Sequence, residues 1–478
     1  MKITFLTPPV LDGTADAERV FGCTYGLYPI PNIFALTAAA VLEKTSHRVR
    51  FLDASIAGMQ PRDFEEYLKQ DDSELYCFYS VNLSRTTDLL AHSRIREIRK
   101  DLPVAFLGPA PSYNPAAFLF DSSTYVVRGE PEHTLRDLAE ALARKGSDLD
   151  RVNGLSFRKN GTLLENPPRE IERDLDVFPF PARHLIDREK YFNPKLGIRP
   201  FTAVLTSRGC AFRCRYCVPC SLSFARELEF GRFNGKKPPV AFRSAENVLA
   251  ELDELKREGF RAVSIIDDQF VWEKKRALAI IEGIGSRGFR WGCLARADAL
   301  DDEVMRAMKE ARCGYLDLGV ESFHQPILDD IRKSATVEET LEKLRKLKEF
   351  GIPLKLNVLI GSSPLETRET IRTNIEILRK LKPDQVMFSI CNPFPGTEFW
   401  DVARKEKWLT VDEYRPVDVQ KQSLISYPHL PASEMEKAIR QANLRFFLSP
   451  RFVLKSIIKF RSPSVFLAAV RSLWKKLF

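Results

Sequence analysis

The chain has 478 residues, of which 44% are hydrophobic and 29% charged, so it is too long for one ordinary core and too apolar for a disordered chain. Its N-terminal apolar run ends at Pro8, unlike a signal sequence, and no apolar run approaches the roughly 20 residues that span a bilayer, so we expect a cytoplasmic protein. The net charge is +9, and it comes from the end of the chain, where ten basic residues and no acidic residue follow Glu436. The chain up to Glu436 has 63 basic and 64 acidic residues, which excludes a generally basic surface.

The first 145 residues alternate short β-rich runs with helical patterns, which predicts an α/β domain with a doubly wound parallel sheet. The predicted strands are Lys2 to Thr7, Arg48 to Leu52, Leu75 to Ser80, Val104 to Leu107 and Tyr125 to Val127. The predicted helices lie near Ile33 to Glu43, Pro61 to Lys69, Thr87 to Lys100 and Glu132 to Ala143. An Asn-Gly turn and repeated prolines from Asn153 to Pro181 predict a small hairpin and a linker.

A second alternating series follows and predicts six β/α units, most of a barrel of the TIM type. Its predicted strands are Phe201 to Leu205, Ala262 to Ile266, Arg290 to Leu294, Tyr315 to Gly319, Leu354 to Ile360 and Gln385 to Ile390. Barrels of this kind carry their chemistry in the loops at the carboxyl ends of the strands. Functional residues are therefore expected at those strand ends.

The first strand of this series ends in a C-x3-C-x2-C run formed by Cys210, Cys214 and Cys217. Three thiolates within eight residues can hold a soft metal centre, and a four-iron cluster bound by three protein ligands keeps one iron open for chemistry. Cys220 could complete a four-cysteine zinc site, but such sites usually have a longer separation between their ligand pairs. Nine unevenly spaced cysteines do not indicate a disulfide scaffold.

The later strands of the series also end in polar residues where a core would not require them. Taken singly, each could be a helix cap or a turn. Together they predict a polar ring around one mouth of the barrel. These segments are Asp267 to Phe270, Arg296 to Asp298, Gly319 to Glu321, Gly361 to Ser363 and Asn392 to Gly396.

The cysteine run, with an aromatic residue before the last thiol, resembles the radical S-adenosylmethionine (SAM) superfamily. The pairing of a doubly wound domain with this barrel is similar to the cobalamin-binding branch of that superfamily. Its members are also similar in the motifs Val127 to Glu132, Leu205 to Cys210 and Pro393 to Thr397, so the resemblance extends over nearly the whole chain. It implies a 4Fe-4S cluster on Cys210, Cys214 and Cys217, SAM at its open iron, and a 5′-deoxyadenosyl radical as the reactive species.

The same resemblance assigns residues to SAM. Asp267, Asp268 and Gln269 take the place of the strand end that receives the amino group, and Tyr216 lies beside the cluster. The remaining assignments are Glu321 near the ribose, Gly361 near the adenine and Arg296 for the carboxylate.

The cobalamin fingerprint of the branch is incomplete in this chain. The usual Asp-x-His-x-x-Gly is replaced by Asp53-Ala-Ser55-Ile-Ala-Gly58, and a hydroxyl is a poor cobalt ligand compared with imidazole. The resemblance still implies cobalamin without a protein ligand below the metal, with Ser80 and Gly108 as further binding residues. The alternative is a domain that keeps the fold and has lost the cofactor.

The region from Leu444 to Phe478 mixes its basic residues with aromatic and aliphatic ones, and Pro450 and Pro463 divide it into two short predicted helices. This pattern predicts a basic amphipathic tail that lies on an anionic membrane surface, at the inner face of the membrane. The alternative is that its apolar face packs on the barrel. Binding to nucleic acid is disfavoured because the rest of the chain is not basic.

These patterns predict four segments and one main function. The segments are a cobalamin-type domain (1–145), a hairpin and linker (146–195), a radical SAM partial barrel (196–410) and a C-terminal helical extension with the basic tail (411–478). The resemblance implies methylation, or cyclisation and related tailoring, of an unactivated carbon in a lipophilic isoprenoid or porphyrin-like molecule, with a flavodoxin- or ferredoxin-type electron donor. The alternatives are a methylthiotransferase, which would need a second cluster although only Cys23 and Cys77 precede the barrel, and an iron–sulfur RNA-binding protein without enzymatic activity.

Overall fold

The computed structural model describes residues 1–25 and 28–447. The chain divides into two compact units. The first contains residues 1–211 and 218–293, and the second contains residues 212–217 and the described residues from Leu294 onward. These two units differ from the four segments predicted from the sequence, which stay a prediction. Within residues 1–25 and 28–447, no helix is long and apolar enough to cross a membrane.

The first unit begins with a seven-stranded sheet whose order is β2-β1-β3-β4-β5-β6-β7. Its strands are β1 (Lys2–Thr7), β2 (Arg48–Asp53), β3 (Leu75–Tyr79), β4 (Val104–Leu107), β5 (Thr124–Val127), β6 (Leu155–Lys159) and β7 (Thr162–Glu165). Strands β1 to β5 are parallel and have the 2-1-3-4-5 order of doubly wound nucleotide- and cofactor-binding domains. The predicted hairpin is confirmed, and it extends this sheet because β6 pairs antiparallel with β5.

The helices of this domain are α1 (Ile33–Glu43), α2 (Ala54–Ala57), α3 (Pro61–Gln70), α4 (Arg85–Ile98), α5 (Pro109–Tyr113) and α6 (Pro131–Ala143). The central strand β3 is buried along its whole length, as expected for a parallel strand covered on both faces. On one side of the sheet, Tyr76, Phe78 and Phe106 form a core with Phe64 of α3 and Ile95 of α4. The apolar runs that predicted the strands are therefore the runs that fill this core.

The second βα series begins in the first unit. It comprises β8 (Phe201–Val204), β9 (Ser207–Arg208), α7 (Ser221–Asn234), β10 (Ala241–Phe242), α8 (Ala245–Arg257), β11 (Ala262–Ile265), α9 (Lys274–Arg287) and β12 (Arg290–Ala295). Strands β8 and β12 flank β11 in parallel register. Two short strands were not predicted from the sequence. Strand β9 lies just before the cysteine run and pairs antiparallel with β10.

The second unit continues the series. Its elements are α10 (Asp302–Glu310), β13 (Cys313–Glu321), α11 (Gln325–Asp330), α12 (Val337–Glu349), β14 (Leu354–Ile360), α13 (Arg368–Leu381), β15 (Gln385–Ile390), α14 (Glu398–Lys405) and α15 (Ala432–Phe447). Strands β13, β14 and β15 are parallel, and a bulge interrupts β13 between Gly319 and Glu321. The six predicted β/α strands are confirmed to within about two residues at their ends, the usual disagreement between assignments.

Helix α15 packs against β15 and α13, with Ile439 and Ala442 fully buried. The predicted amphipathic tail begins in the last turn of this helix, at Leu444. Residues 448–478, which carry most of that prediction, lie outside the described residues.

Candidate active site

The segment that leads to the first cysteine is fixed by a buried carboxylate at the end of β11. Asp267 accepts hydrogen bonds from the backbone N–H of Thr206 (2.6 Å), from the Thr206 hydroxyl (2.5 Å) and from the Ser207 hydroxyl (2.6 Å). Both of its oxygens are therefore occupied by the neighbouring strand end. Asp267 was predicted to receive the SAM amino group, but its contacts in the structure hold the start of the cysteine segment.

The next residue of the segment, Arg208, is held by two carboxylates of the N-terminal domain. Its Nη1 lies 2.8 Å from Oε1 of Glu130, and its Nη2 lies 2.6 Å from Oε1 of Glu132. Arg226 of α7 approaches the same Glu130 oxygen at 3.4 Å. We call Arg208, Arg226, Glu130 and Glu132 the arginine–glutamate clamp. All four side chains are at least nine-tenths buried, so the clamp is a strong electrostatic constraint on the chain just before Cys210.

Gly209, between the clamp and Cys210, adopts a left-handed conformation with φ +94°. Its N–H donates to the Ser223 hydroxyl at 2.9 Å. A Cβ at this position would lie 3.2 Å from Nη1 of Arg226. A side chain here would therefore be strained by the backbone conformation and crowded by the clamp.

Within the second unit, Arg215 braces the middle of the cysteine run. Its side chain pairs with Asp330, its N–H donates to the carbonyl of Ile331 at 3.2 Å, and its carbonyl accepts from the N–H of Phe399 at 2.9 Å. A turn joins the N–H of Cys217 to the carbonyl of Cys214 at 3.1 Å. The backbone between the second and third cysteines is thus held on both sides.

Cys210, Cys214 and Cys217 are partly exposed, whereas Cys220 is buried. Within the described part of the chain, no group of three or more His, Cys, Asp or Glu side chains is arranged to hold a metal ion. The fit to an iron–sulfur cluster rests on the donor set, because three accessible thiols in eight residues suit soft iron and leave one iron open. Cys210, Cys214 and Cys217 would hold the cluster.

Cys220 is the cap of α7 and not a fourth member of that set. Its N–H donates to Oδ1 of Asp268 at 2.6 Å, and its sulfur lies 3.2 Å from the Ser223 hydroxyl. Burial, together with the nearby Asp268, raises the pKa of the Cys220 thiol well above its ordinary value, which disfavours the thiolate that a metal requires. A four-cysteine zinc site is therefore disfavoured, because Cys220 would have to be its fourth ligand.

Asp268 differs from Asp267 in having one unoccupied oxygen. Oδ1 accepts from Cys220, while Oδ2 is buried and has no hydrogen-bond partner among the described residues. Burial raises the pKa of Asp268. Gln269 is also buried and donates to the carbonyl of Val271 at 3.1 Å. Of the three residues predicted for the SAM amino group, Asp268 has the available acceptor.

Arg296, predicted for the SAM carboxylate, is already paired in the second unit. Its Nη2 lies 2.7 Å from Oδ2 of Asp298 and 3.0 Å from the carbonyl of Ser334, and its guanidinium stacks 3.7 Å from the centre of the Phe212 ring. Phe212 lies in the cysteine run, so Arg296 also packs on that segment. The role of Arg296 in binding the carboxylate stays a prediction.

Glu321 is the most strained predicted residue of this unit. It follows the β13 bulge with a φ of +65°, a conformation that a non-glycine residue adopts only when its surroundings impose it. Its Oε1 accepts from Nζ of Lys333 at 2.8 Å. Gly319 makes room for the pair, since a Cβ there would lie 2.4 Å from Oε1 of Glu321 and 3.0 Å from Nζ of Lys333.

Lys333 was missed by the sequence analysis, and its sequence context gives no signal, because a lysine after a short helix is usually a solvated side chain. Burial acts to lower the pKa of Lys333, but the Glu321 carboxylate and the nearby Cys214 together more than offset this, and the pKa lies above its ordinary value. The group is therefore a buried permanent cation. A small, partly open pocket lies beside it, lined among others by Arg296, Asp298, Gly319 and Thr340.

Two further residues predicted for SAM have other surroundings. Gly361 has a φ of +79°, its carbonyl accepts from the Tyr427 hydroxyl at 3.0 Å, and a Cβ there would lie 2.5 Å from Sδ of Met435. At Gly361, the loop after β14 therefore passes close to α15. Tyr216 is half-buried, and burial and the nearby Glu321 raise the pKa of its phenol. Their contacts with SAM stay predictions.

The predicted cobalamin residues lie at the carboxyl edge of the N-terminal sheet. Asp53 ends β2 and caps α2 by accepting from the N–H of Ile56 at 3.1 Å, and Gly58 ends that helix in a left-handed conformation. Ser55 lies in the first turn, half-buried. No histidine is present in this loop, so a corrinoid bound here would receive no imidazole ligand from it.

Ser80 and Gly108 are neighbours at the same edge. The Ser80 N–H donates to the carbonyl of Leu107 at 2.7 Å, and a Cβ on Gly108 would lie 2.6 Å from the Ser80 carbonyl oxygen. The Ser80 hydroxyl donates to the buried Asp88, which also pairs with Arg19. Ser80 therefore belongs to a buried network that shapes the edge, and its contact with cobalamin stays a prediction.

The chain is similar to known proteins over most of its length. Residues 204–378 match the radical SAM superfamily. The chain is 30% identical over 470 residues to an uncharacterised methyltransferase of Pyrococcus horikoshii, covering 96% of this chain and 95% of that protein. It is 28% identical over 402 residues to the hopanoid C-3 methylase of Methylococcus capsulatus, covering 80% of this chain and 70% of that protein.

A solved structure has the same fold. The radical S-adenosylmethionine methyltransferase TsrM of Kitasatospora setae, with cobalamin and a 4Fe-4S cluster bound, gives a TM-score of 0.69 at 18% identity, covering 94% of this chain and 89% of that chain. At this identity the likeness concerns the fold. It confirms the predicted order of a Rossmann-like domain followed by a radical SAM domain.

Proposed function

Because the chain belongs to the radical SAM superfamily, in the branch with a cobalamin-binding domain, we propose that it methylates an unactivated carbon of a small, lipophilic molecule. The chain is an enzyme of the radical SAM methyltransferase or cyclase type. Methyl transfer is favoured because both relatives described above are methylases or methyltransferases, and the lipophilic substrate is suggested by the hopanoid methylase.

The observation that carries the proposal is the run of three accessible thiols braced by the arginine–glutamate clamp on one side and by Arg215 on the other. When bound, a 4Fe-4S cluster supplies the electron that cleaves SAM to a 5′-deoxyadenosyl radical, and cobalamin supplies a methyl carrier. The protein holds the thiol-bearing segment in place. Lys333, a buried cation of the second unit, attracts the SAM carboxylate.

Cobalamin is proposed to bind at the edge formed by Asp53 to Gly58, Ser80 and Gly108, without a protein ligand below the cobalt. The electron is proposed to come from a flavodoxin- or ferredoxin-type donor. The methylthiotransferase alternative is disfavoured because Cys77, one of the two N-terminal cysteines, is buried in β3 and burial raises the pKa of its thiol. The alternative without enzymatic activity is not retained, since the chain's relatives are enzymes.

The test is anaerobic purification and reconstitution with iron, sulfide and hydroxocobalamin, followed by metal, sulfide and corrinoid analysis. With SAM and a strong reductant, we expect about four irons per chain, from cluster stoichiometry, and formation of 5′-deoxyadenosine. Bound zinc without SAM cleavage would contradict the proposal. Cleavage of SAM without any corrinoid would retain the radical chemistry and contradict the cobalamin-dependent methyl transfer.

We further propose that the basic tail places the enzyme on an anionic membrane surface. The support is the run of ten basic and no acidic residues after Glu436. Because Ile439 and Ala442 of α15 are buried, the test chain ends after Phe447 and keeps this helix. Sedimentation with phosphatidylglycerol vesicles at low and high salt should show salt-sensitive binding of the full chain and little binding of the shortened one; equal binding of both would contradict the anchor.

A further inference from the structure

The three strands of the second unit carry an unexpected set of side chains on one face. Along β14, Leu354, Leu356, Val358 and Ile360 are buried and alternate with Lys355, Asn357 and Leu359, which are half-exposed. We call the face with Lys355, Asn357 and Leu359 the inner face. A closed barrel fills its interior with large aliphatic side chains. Here that side of the strands is largely polar, so hydrophobic packing alone does not account for its side chains.

The neighbouring strands continue the inner face in register. Asp317 and Gly319 of β13 lie opposite Lys355 and Asn357. On the other side, Met387 of β15 lies opposite Asn357, and Ser389 lies opposite Leu359. The face therefore combines two apolar side chains, Leu359 and Met387, with a polar group formed by Asp317, Lys355, Asn357 and Ser389.

The charges on the inner face are mutually satisfied. Nζ of Lys355 lies 2.8 Å from Oδ2 of Asp317, and Nδ2 of Asn357 donates to Oδ1 of the same carboxylate at 2.7 Å. The charge of Asp317 is thus balanced by the Lys355 cation, and the carboxylate also accepts a hydrogen bond from the Asn357 amide. The lysine charge already has a partner on this face, and the two polar atoms that remain without one belong to neutral side chains.

Two polar atoms of the inner face lack partners. Oδ1 of Asn357 and Oγ of Ser389 are buried, and neither has a hydrogen bond within residues 1–25 and 28–447. The Ser389 side chain belongs to a residue that is only 7% exposed. A buried polar atom without a partner loses its hydrogen bond to water and gains none in return, so two of them on one face require an explanation. The orientation of the Asn357 amide is fixed by its contact with Asp317, which makes the unpaired atom an acceptor.

We propose that the inner face of β13, β14 and β15 is a substrate-recognition surface for an amphiphilic alcohol. A hydroxyl donates to Oδ1 of Asn357 and accepts from the Ser389 hydroxyl, and the adjoining hydrocarbon packs on Leu359 and Met387. This inference rests on the proposed function, because it concerns the substrate of that reaction. It adds that the lipophilic substrate carries a neutral hydroxyl group that fixes its orientation.

The test compares two probes that differ mainly in one hydroxyl, farnesol and the hydrocarbon farnesene. Binding to the anaerobically reconstituted full chain is measured by equilibrium dialysis without SAM or reductant. We expect farnesol to bind about tenfold more tightly than farnesene, because only farnesol forms hydrogen bonds with the buried groups. Tenfold in affinity corresponds to about 1.4 kcal/mol. Asn357→Leu and Ser389→Ala should each reduce this preference to about twofold or less while binding of farnesene is unchanged.

A matched control is Ser286→Ala on α9, whose hydroxyl donates to the carbonyl of Gly283 in the first unit. It should leave the preference unchanged. Ser389→Ala removes one atom and serves as the milder variant should Asn357→Leu unfold, which thermal melting reports. Equal binding of the two probes, binding of neither, or a preference that survives both substitutions would overturn the inference. Since SAM is absent from the assay, failure of SAM cleavage would contradict the proposed function and leave this result standing.

Discussion

Nη2 of Arg208 and Oε1 of Glu132 lie 2.6 Å apart in a fully desolvated pair, with 4% and 0% of the two side chains exposed. One residue ends β9 just before Cys210, and the other lies in the first turn of α6 of the N-terminal domain. The two sequence motifs that contain them are separated by more than 70 residues. Their contact makes the position of the cysteine segment depend on the N-terminal domain.

We predict that Glu132→Gln destabilises the protein by about 3–5 kcal/mol, because it leaves the buried Arg208 without one of its two carboxylates. The same variant should retain less iron after reconstitution, since the clamp precedes Cys210 by two residues. Denaturant unfolding and iron analysis measure the two effects. Asp150→Asn, which removes the exposed partner of Lys159, is the control and should change stability by less than about 1 kcal/mol. Unchanged iron content in Glu132→Gln would show that the clamp does not position the thiols.

Replacing Cys210, Cys214 or Cys217 by Ala should each abolish the brown chromophore and SAM cleavage, because a site-differentiated cluster with two thiolates is poorly held. Cys220→Ala should retain both, since Cys220 caps α7 and is buried beside Asp268. Visible absorption and 5′-deoxyadenosine formation are the measurements. A colourless Cys220→Ala protein of normal melting temperature would instead indicate a four-cysteine site.

Lys333→Met should weaken SAM binding about 10- to 100-fold, which corresponds to the loss of a charged hydrogen bond worth about 1.5–3 kcal/mol. Equilibrium dialysis of SAM against the reconstituted protein measures this. Lys333→Met also leaves Glu321 buried without its cation, so the double variant Glu321→Gln/Lys333→Met should recover stability but not affinity. Lys346→Met removes an exposed lysine of the same unit and serves as control. Full affinity in the double variant would assign Lys333 a structural role only.

Cobalamin bound to the reconstituted protein should show no protein nitrogen below the cobalt. The reason is that residue 55 is Ser and the loop from Asp53 to Gly58 contains no histidine. Electron paramagnetic resonance of the Co(II) state tests this, because an imidazole ligand splits the cobalt lines. Ser55→His is the informative variant and should introduce that splitting if Ser55 lies beneath the corrin. Splitting in the wild type would contradict the prediction.

Burial raises the pKa of Asp53 to about 6, and the N–H of Ile56 offsets only part of this. The folded state therefore binds the proton more tightly than the unfolded chain, and stability from this group is lost as pH rises from about 4 to about 6. Asp53→Asn keeps the cap of α2 and should raise the melting temperature by about 2 °C at pH 7.5, with little change at pH 4.5. Asp101→Asn, at an exposed site, should show no such pH dependence. A larger gain at pH 4.5 than at pH 7.5 would refute the assignment.

Local patterns were sufficient for much of this protein. Strand β1 and helix α1 have the predicted bounds because apolar runs between prolines and polar residues specify buried elements with little help from elsewhere. The three thiols could be predicted as cluster ligands because such ligands lie close together in sequence. The missing histidine at Ser55 is likewise a property of the sequence alone.

Contacts between distant residues could not be obtained in this way. Periodicity gives the face on which a residue lies but not its partner, so Lys333 beside Glu321, the Arg208 clamp and the occupied state of Asp267 became known only from the tertiary structure. The same holds for the unpaired Asn357 and Ser389 oxygens, since hydrogen bonding of a buried atom depends on every neighbouring element. The sequence by itself determined the fold class and predicted the cluster ligands, because both depend on local patterns, whereas the tertiary structure decided which charges are paired and which buried polar atoms have no partner.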